Sequence, residues 1–200
     1  MHLPTPLYFL VAYLLGSLPF GLWITRLVKG IDVRDGGSGH VTTTNTIRQA
    51  GYLPGLTVFI LDISKGYLAL FLPLQAGLSS GSLALCAALV VTGHCWPILA
   101  QFRGGMGLAT MGGALLAMNF VGFLFCTATL VVLLLTIRHA ARASLFAALA
   151  MPLVLVLTGQ RGAIILVAVA GGLVIAARFT IDWNRQYRSL WLDREKKVGD

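Results

Sequence analysis

The chain has 200 residues, of which 57% are hydrophobic and 11% are charged. A soluble domain has about 25% charged residues. The composition therefore excludes a water-soluble fold and predicts an all-α, membrane-embedded bundle that forms one domain over residues 1–200. The net charge is +8. Basic residues of membrane proteins collect in cytoplasmic loops, so this charge does not indicate nucleic acid as a partner.

The first apolar stretch runs from about Pro6 to Val28, which is long enough to cross a bilayer. It has no basic leader and no small-residue cleavage site, so we expect a retained span rather than a signal peptide. Basic residues lie at or just beyond its end, at Arg26, Lys29 and Arg34. They predict that this end is cytoplasmic and that the N-terminus lies outside.

Later apolar stretches complete a predicted bundle of about seven transmembrane helices, some of them short, with a cytoplasmic C-terminus. They are Leu53–Leu74, Leu83–Ala100, Leu108–Ile137, Ala143–Leu157 and Ala163–Ala177. Leu108–Ile137 is too long for one span and too short for two full ones, so we expect two short or tilted helices that meet near Asn119. The basic end of the chain has aromatic residues suited to the membrane interface, at Trp183, Tyr187 and Trp191.

The first polar loop, Gly37–Gly51, is unusual in so apolar a chain. Its glycines allow backbone N–H groups to converge on an anion. Ser38, Asn45 and the threonines at 42–44 add side-chain donors. Arg48 adds a guanidinium whose shape fits phosphate oxygens. An ordinary turn between two spans has a similar composition, so the loop alone leaves both interpretations open.

A second polar loop, Gly93–Thr110, contains His94, Arg103 and a Gly104–Gly105 hinge before a predicted helix. The free N–H groups at a helix N-terminus form an anion site. Two structural interpretations compete with this one. The histidine could be a core residue that hydrogen-bonds a carbonyl, and the glycines could serve close helix packing.

Two charged residues, Asp62 and Lys65, lie inside the second span. Charges at membrane depth are costly and mark either function or a structural pair. The two residues are three positions apart on one helical face, so they can pair with each other. We favour a structural pair over direct catalysis.

Metal, disulfide and nucleotide motifs are not evident. The cysteines at 86, 95 and 126 lie in apolar runs without paired spacing, so neither a disulfide, a metal site nor a cofactor is expected. The nearest match to the H-x-x-x-x-D pair of thioester-dependent acyltransferases starts at His40 but has Asn45 in place of the carboxylate. An amide cannot stabilise a charged histidine as a carboxylate does.

Several motifs in fixed order resemble the bacterial acyl-phosphate:glycerol-3-phosphate acyltransferases, the PlsY family. The first loop resembles G-S-G-N-x-G-A-T-N-x-x-R, and "LDISKG" resembles D-x-x-K-G. The second loop resembles G-H-x-F-P-x-F-x-x-F-x-G-G-K-G-x-A-T without a gap. "GSLPFG" and "ASLFAALAMP" resemble an early and a later segment, so the similarity covers nearly the whole chain.

The resemblance implies an enzyme that moves an acyl chain from acyl phosphate to the 1-hydroxyl of glycerol 3-phosphate, giving lysophosphatidic acid. The implied partners are these two substrates and membrane lipid. The implied location is the bacterial cytoplasmic membrane, with the active face toward the cytoplasm. The candidate catalytic residues are His94 and Ser38. The candidate phosphate-binding residues are Ser38, Thr44, Asn45, Arg48, Arg103, Gly104, Gly105 and Gly107.

Some positions depart from the family pattern. His40 replaces an Asn and Thr42 replaces a Gly. Met106 replaces the Lys of G-G-K-G, and Met supplies no cation. Losing one charge-assisted phosphate contact weakens binding or rate by roughly ten- to hundredfold. His40 and Arg103 are the candidates that could compensate.

A third family motif, R-H-x-x-N-I-x-R-L, matches loosely at "RFTIDWNRQ", where Phe179 replaces His and Asp182 replaces Asn. Two interpretations therefore stay open. One is an acyltransferase with a rebuilt phosphate site. The other is a degenerate, non-catalytic relative that binds lipid or serves as an accessory subunit of a membrane assembly. An anion transporter is disfavoured because no inverted repeat is evident.

Overall fold

The structure is a computed structural model that describes residues 3–185, and within this range every regular element is helical. The α-helices of this range are α1 Thr5–Gly16, α2 Phe20–Lys29, α3 Thr43–Ala50, α4 Tyr52–Gln75, α5 Ser80–Cys95, α6 Leu108–Met118, α7 Phe120–Ile137, α8 Ala140–Leu157 and α9 Ala163–Ile181. Short 3-10 turns cover Val33–Asp35 and Ile98–Ala100 in the two polar loops. The predicted all-α fold is confirmed, while Tyr187 and Trp191 lie outside the described residues.

Within the described range, six segments are long and apolar enough to cross a membrane, and α6 is a shorter apolar helix. The first of these six segments is Thr5–Lys29, which consists of α1 and α2 together. Another segment, Ser80–Ala100, consists of α5 and the 3-10 turn that follows it. The remaining four are α4, α7, α8 and α9. The bundle thus has six full-length spans and one short apolar helix, in agreement with the predicted mixture of long and short helices.

The predicted first span from about Pro6 to Val28 is present as the segment Thr5–Lys29, but its helix is interrupted in the middle. Helix α1 ends at Gly16 and α2 begins at Phe20, after Pro19, which has no N–H to continue the hydrogen-bond ladder. At the break the Leu18 carbonyl accepts the Phe20 N–H at 3.1 Å, outside the regular helical ladder. The Lys65 ammonium of α4 donates to that carbonyl at 3.0 Å. Irregular backbone at membrane depth is tolerated when protein groups satisfy it in this way.

The predicted division near Asn119 is confirmed. Asn119 ends α6 and begins α7, and its side-chain oxygen accepts a hydrogen bond from the Gly122 N–H at 2.8 Å. This contact is a helix N-cap, which satisfies one of the free N–H groups at the start of α7. Helix α6 therefore stops part-way through the bundle, and its other end lies beside the second polar loop.

Helix α5 occupies the centre of the bundle and packs against α1 and α9, while α4 packs against α6 and α8 packs against α9. Most of the apolar core is shared by α5, α6, α8 and α9. Helix α7 is peripheral, because it packs mainly on α8 and leaves most of its apolar side chains exposed. In a membrane these side chains face lipid. This packing brings both polar loops and the end of α9 to the same side of the bundle.

Candidate active site

A cavity of about 230 Å³ lies where the two polar loops meet the bundle. Its polar lining comes mostly from the first loop, the start of α3 and buried helix positions: Ser38, His40, Thr42, Thr43, Thr44, Arg48, Asp62, His94 and Ser144. The rest of its lining is apolar or backbone and comes from α4, the end of the second loop and α6–α9: Phe59, Met106, Gly107, Leu108, Ala109, Leu130, Ala140 and Phe179. The cavity therefore joins a polar loop region to apolar helix faces.

The first loop is built around Asn45, which is fully buried. Its amide nitrogen donates to the carbonyls of Val33 at 2.8 Å and His40 at 3.0 Å. Its amide oxygen accepts the Ser38 N–H at 2.9 Å. Both amide atoms are thus occupied inside the loop, and Asn45 does not line the cavity. The geometry gives Asn45 the role of closing the loop instead of contacting a ligand.

The glycines of this loop serve the same closure. Gly37 has φ +60°, and a Cβ atom there would collide with the Asn45 amide oxygen. The departure at Thr42 has no backbone cost, because Thr42 has φ −131° and ψ 155°, which any residue adopts. Its hydroxyl accepts the Asn45 N–H at 3.2 Å and caps α3. Thr42, Thr43 and Thr44 line the cavity, so the N-terminus of α3 faces it.

The second loop lies directly against the first. The Val41 N–H donates to the Gly104 carbonyl at 3.2 Å, and the Gly105 N–H donates to the His94 carbonyl at 3.0 Å. A Cβ atom at Gly105 would collide with both the His94 ring and the Val41 carbonyl, so only glycine allows this close approach. Gly107 caps α6, whose first residues line the cavity.

Arg34 fastens the outer side of the two loops. Its guanidinium donates to the Ala100 carbonyl at 2.9 Å and to the Asp32 carboxylate at 2.7 Å. Arg26 contacts the same carboxylate at 2.8 Å. The hydrogen bond from Arg34 holds the pKa of Asp32 well below its usual range. This cluster connects the loops through side chains that lie outside the cavity.

His94 belongs to a buried cluster inside the helices. Its Nδ1 lies 3.1 Å from the Thr110 hydroxyl and 3.6 Å from the Asp62 carboxylate. Lys65 lies 2.9 Å from the same carboxylate, so the predicted pairing of Asp62 with Lys65 is present. The other ring nitrogen, Nε2, faces the Gly105 turn. The cluster orients His94 through Nδ1, and His94 lines the cavity.

Both loops are held by Arg178 in the last turn of α9 and by two residues that follow the helix, Asp182 and Arg185. The Arg178 guanidinium donates to the Gly105 carbonyl at 3.2 Å. His40 Nε2 lies 2.9 Å from the Asp182 carboxylate, and Arg185 donates to the Ser38 carbonyl. The sequence analysis assigned no role to Arg178 or Asp182 in the site. The loosely matched third family motif, which begins at Arg178, was the available signal.

The structure brings most of the predicted site residues to one place, with exceptions. Ser38, Thr44, Arg48, His94 and Gly107 line the cavity, as does His40. Gly104, Gly105 and Asn45 lie behind the lining and shape the loops. Arg103 is exposed and does not line the cavity, so the geometry gives it no phosphate contact. Met106, where the family pattern has Lys, is buried and lines the cavity.

Known proteins share this sequence pattern and this architecture. The sequence pattern of the family described as "Glycerol-3-phosphate acyltransferase" matches residues 6–188. The chain belongs to the glycerol-3-phosphate acyltransferase family. Glycerol-3-phosphate acyltransferase 3 of Bacillus anthracis is 42% identical over 171 residues, which cover 86% of both chains. The glycerol-3-phosphate acyltransferase of Parasynechococcus marenigrum (strain WH8102) is 35% identical over 189 residues, covering 94% of this chain and 87% of the relative.

Two solved structures of a glycerol-3-phosphate acyltransferase have the same fold. Both are crystal structures of PlsY (YgiH), an integral membrane glycerol 3-phosphate acyltransferase. Its glycerol 3-phosphate form has a TM-score of 0.81 and 33% identity, covering 90% of each chain. Its lysophosphatidic acid form has a TM-score of 0.80 and 32% identity over the same shares. The fold match confirms that this family member is a multi-pass membrane protein.

Proposed function

We propose that this chain transfers an acyl group from acyl phosphate to the 1-hydroxyl of glycerol 3-phosphate and so forms lysophosphatidic acid. The observation that carries the proposal is the single cavity in which phosphate-binding groups, a histidine and apolar helix faces meet. Both substrates carry a phosphate and one also carries a long acyl chain. A site for this reaction therefore needs a polar loop region that is continuous with apolar surface.

Phosphate binding is supported by two helix N-termini that face the cavity. The first residues of α3, Thr43 and Thr44, and those of α6, Leu108 and Ala109, line it. Free N–H groups and the helix dipole attract anions at such positions. Arg48 adds a guanidinium that suits phosphate oxygens. We assign this region to the phosphate groups of donor and acceptor.

Acyl binding is supported by the apolar part of the lining. Phe59 of α4, Leu130 of α7 and Phe179 of α9 belong to three helices around the cavity. Helix α7 is the peripheral helix whose other side faces lipid. An acyl chain that enters from the membrane would bury its methylene groups here, at about 0.8 kcal/mol for each CH₂. The departure at Phe179 fits this apolar role.

For the chemical step, we assign His94 Nε2 as the base that accepts the proton of the attacking 1-hydroxyl. The hydroxyl oxygen then bonds to the acyl carbonyl carbon, and the bond from that carbon to the phosphate oxygen breaks. Inorganic phosphate leaves. Thr110 and Asp62 hold the opposite nitrogen of the ring. Because phosphate is a good leaving group, positioning and charge stabilisation suffice without a protein nucleophile.

We further propose that the cavity opens toward the cytoplasm in the bacterial inner membrane. Arg26, Lys29 and Arg34 border the first loop, and basic residues favour the cytoplasmic side. This orientation puts the N-terminus outside and the C-terminus inside. The orientation is tested with the variant Tyr52→Cys, because Tyr52 is exposed and lies beside the first loop. A thiol reagent that does not cross membranes is applied to intact cells and to inverted vesicles. Labelling from outside intact cells would contradict the orientation.

The activity is tested with the purified chain in detergent, supplied with acyl phosphate and glycerol 3-phosphate. We expect lysophosphatidic acid and inorganic phosphate in equal amounts, with no requirement for metal and no product from acyl-CoA. Arg48→Ala should raise the KM for glycerol 3-phosphate by about tenfold, the effect of one charge-assisted contact. The alternative of a non-catalytic relative is tested at Met106, because this residue supplies no cation where the family pattern has Lys. Absence of product from both wild type and Met106→Lys would support that alternative.

A further inference from the structure

The apolar part of the cavity lies beside a gap between α4 and α7. Helix α6 packs against both of these helices, whereas α4 and α7 scarcely contact each other. Phe59 of α4 and Leu130 of α7 line the cavity on the two sides of this gap. Phe59 is also 42% exposed, so it belongs both to the cavity and to the outer surface of the bundle. The cavity therefore reaches the surface that faces lipid.

The floor of this gap is one face of α6. Leu108, Ala109, Gly112 and Leu116 are partly exposed and lie on the same side of the helix, because they recur at intervals of three or four residues. Leu108 and Ala109 line the cavity. Along the helix axis, Gly112 lies about 6 Å beyond Leu108, and Leu116 lies about 12 Å beyond it. This face therefore continues the cavity wall away from the polar loops.

Two neighbouring glycines of α6 differ in what surrounds them. A Cβ atom at Gly113 would collide with the Ile63 carbonyl of α4, so close helix packing requires this glycine. A Cβ atom at Gly112 would only come into ordinary contact with the Phe123 ring of α7, at 3.4 Å. Glycine inside a helix is less favourable than alanine. Helix packing accounts for this disadvantage at Gly113 but not at Gly112.

Helix α7 places Gly112 on the path that leads out of the cavity. Phe123 and Leu130 are seven residues apart, which is about two helical turns, so they lie on one face of α7. Leu130 lines the cavity, and Phe123 lies beside Gly112. A groove with walls from α4 and α7 and a floor from α6 thus runs from the cavity along α6.

We infer that this groove holds the acyl chain of the donor beyond its first carbons, and that Gly112 sets the depth of the groove. The inference rests on the proposed function, because it places the tail of the acyl phosphate whose head group binds in the cavity. A chain attached to a phosphate at the helix N-termini must leave the polar region along an apolar path. The groove is such a path and is continuous with the cavity. Gly112 is therefore a residue that determines specificity for chain length, away from the reacting atoms.

The experiment compares a long and a short donor in the wild type and in Gly112→Leu. The leucine side chain would fill the floor of the groove and displace methylene groups of a long chain, each of which contributes about fourfold to binding. With hexadecanoyl phosphate we expect kcat/KM to fall by about tenfold or more. Butanoyl phosphate is too short to reach Gly112, so its kcat/KM should stay within about threefold of wild type. The KM for glycerol 3-phosphate should not change.

Further variants control for folding and for position. Gly81→Leu is the matched control, because Gly81 is exposed in the first turn of α5 and a Cβ atom there would meet no other atom within 4 Å. It should behave as wild type with both donors. Gly112→Leu/Phe123→Ala removes the ring opposite the new side chain and should recover at least about threefold of the lost kcat/KM with hexadecanoyl phosphate. If the unfolding temperature shows that leucine prevents folding, Gly112→Ala replaces it and should lower kcat/KM about threefold with the long donor only.

The outcomes separate the inference from the proposed function. Equal losses with both donors, or no loss with hexadecanoyl phosphate, would overturn the assignment of the groove. A wild type that forms no lysophosphatidic acid from either donor would overturn the proposed function alone, because binding of the unreactive analogue hexadecyl phosphate, measured by calorimetry, still tests the groove. Gly112→Leu should weaken that binding by about tenfold relative to Gly81→Leu. Equal binding by these two variants, or no binding by the wild type, would overturn the groove.

Discussion

Two buried contacts between a histidine and an aspartate border the same cavity, and their surroundings differ. His94 lies 3.6 Å from Asp62 within the helices, where Lys65 also contacts the carboxylate. His40 lies 2.9 Å from Asp182 between a loop and the end of α9. In the first contact His94 lines the cavity and its Nε2 faces Gly105. In the second contact both ring nitrogens are occupied.

The source of the countercharge explains this difference. Lys65 pairs with Asp62, so this carboxylate does not depend on His94 for its countercharge. The Asp182 carboxylate instead contacts the His40 ring at 2.9 Å and Arg185 at 3.8 Å. The same two residue types thus provide a candidate base at one site and a contact between a loop and the residues after α9 at the other. The predictions below test this distinction, from the largest expected effect to the smallest.

The largest effect is expected for Lys65→Met, which removes the countercharge in the helices. Asp62 would keep a buried charge without its cation, and the Leu18 carbonyl at the break in the first span would keep only the Phe20 N–H as a donor. Breaking a buried ion pair from one side costs about 3–5 kcal/mol. Thermal unfolding in detergent should show a large loss of stability.

The control for this prediction is the double variant Asp62→Asn/Lys65→Met, which removes both charges. It should be more stable than Lys65→Met, because no unpaired charge remains in the bundle. If the double variant unfolds at the same temperature as Lys65→Met or below it, charge pairing is not what Lys65 contributes. The cost would then come from the lost contact with Leu18.

The next effect is expected on turnover and distinguishes the two histidines directly. His94→Ala should lower kcat by about a hundredfold, since a positioned general base contributes at least about that factor. His40→Asn should lower kcat much less, because both ring nitrogens of His40 already contact protein groups, the Ser38 carbonyl and the Asp182 carboxylate. Steady-state kinetics of both variants check this contrast. An unchanged kcat in His94→Ala would show that the attacking hydroxyl loses its proton to another group, such as the leaving phosphate.

The difference between the two contacts also shows what the sequence could predict. The spans were predictable because each apolar stretch must bury its backbone groups in a helix. The Asp62–Lys65 pair was predictable because both residues lie on one helical face. Contacts between residues far apart in the sequence were not predictable. Arg185 and Ser38, for example, are 147 positions apart. No local pattern indicates that such residues meet.

Asn45 illustrates the same limit within one loop. Its residue type and position favoured a phosphate ligand, and the geometry instead uses its amide to satisfy backbone carbonyls of the turn. A polar side chain in a glycine-rich loop can bind either a ligand or its own backbone. The sequence alone does not separate these uses. Burial and hydrogen-bond partners do.

A smaller effect on activity is expected at Met106, which lines the cavity. Met106→Lys should raise acyl transfer by about tenfold, because an ammonium near the start of α6 adds one charge-assisted contact to phosphate. Met106→Leu is the matched control and should have no such effect. A Met106→Lys variant with unchanged activity would indicate that the helix N-termini and Arg48 already satisfy the phosphate.

The smallest effect on stability is expected at Asp32, which forms salt bridges with Arg26 and Arg34 outside the cavity. These partly exposed salt bridges provide a comparison for the two buried contacts. The folded-state pKa of Asp32 is lowered by Arg34, so the unfolded chain binds the proton more readily than the folded chain. The stability from this contact is therefore present above the ordinary aspartate pKa of about 3.9 and is lost as the pH falls below it. Because the contact is near the surface, it should contribute no more than about 1 kcal/mol.

Unfolding temperatures of wild type and Asp32→Asn should thus differ at pH 7 and converge toward pH 3. A difference that persists unchanged at pH 3 would show that Asp32 acts through the shape of the loop and not through its charge.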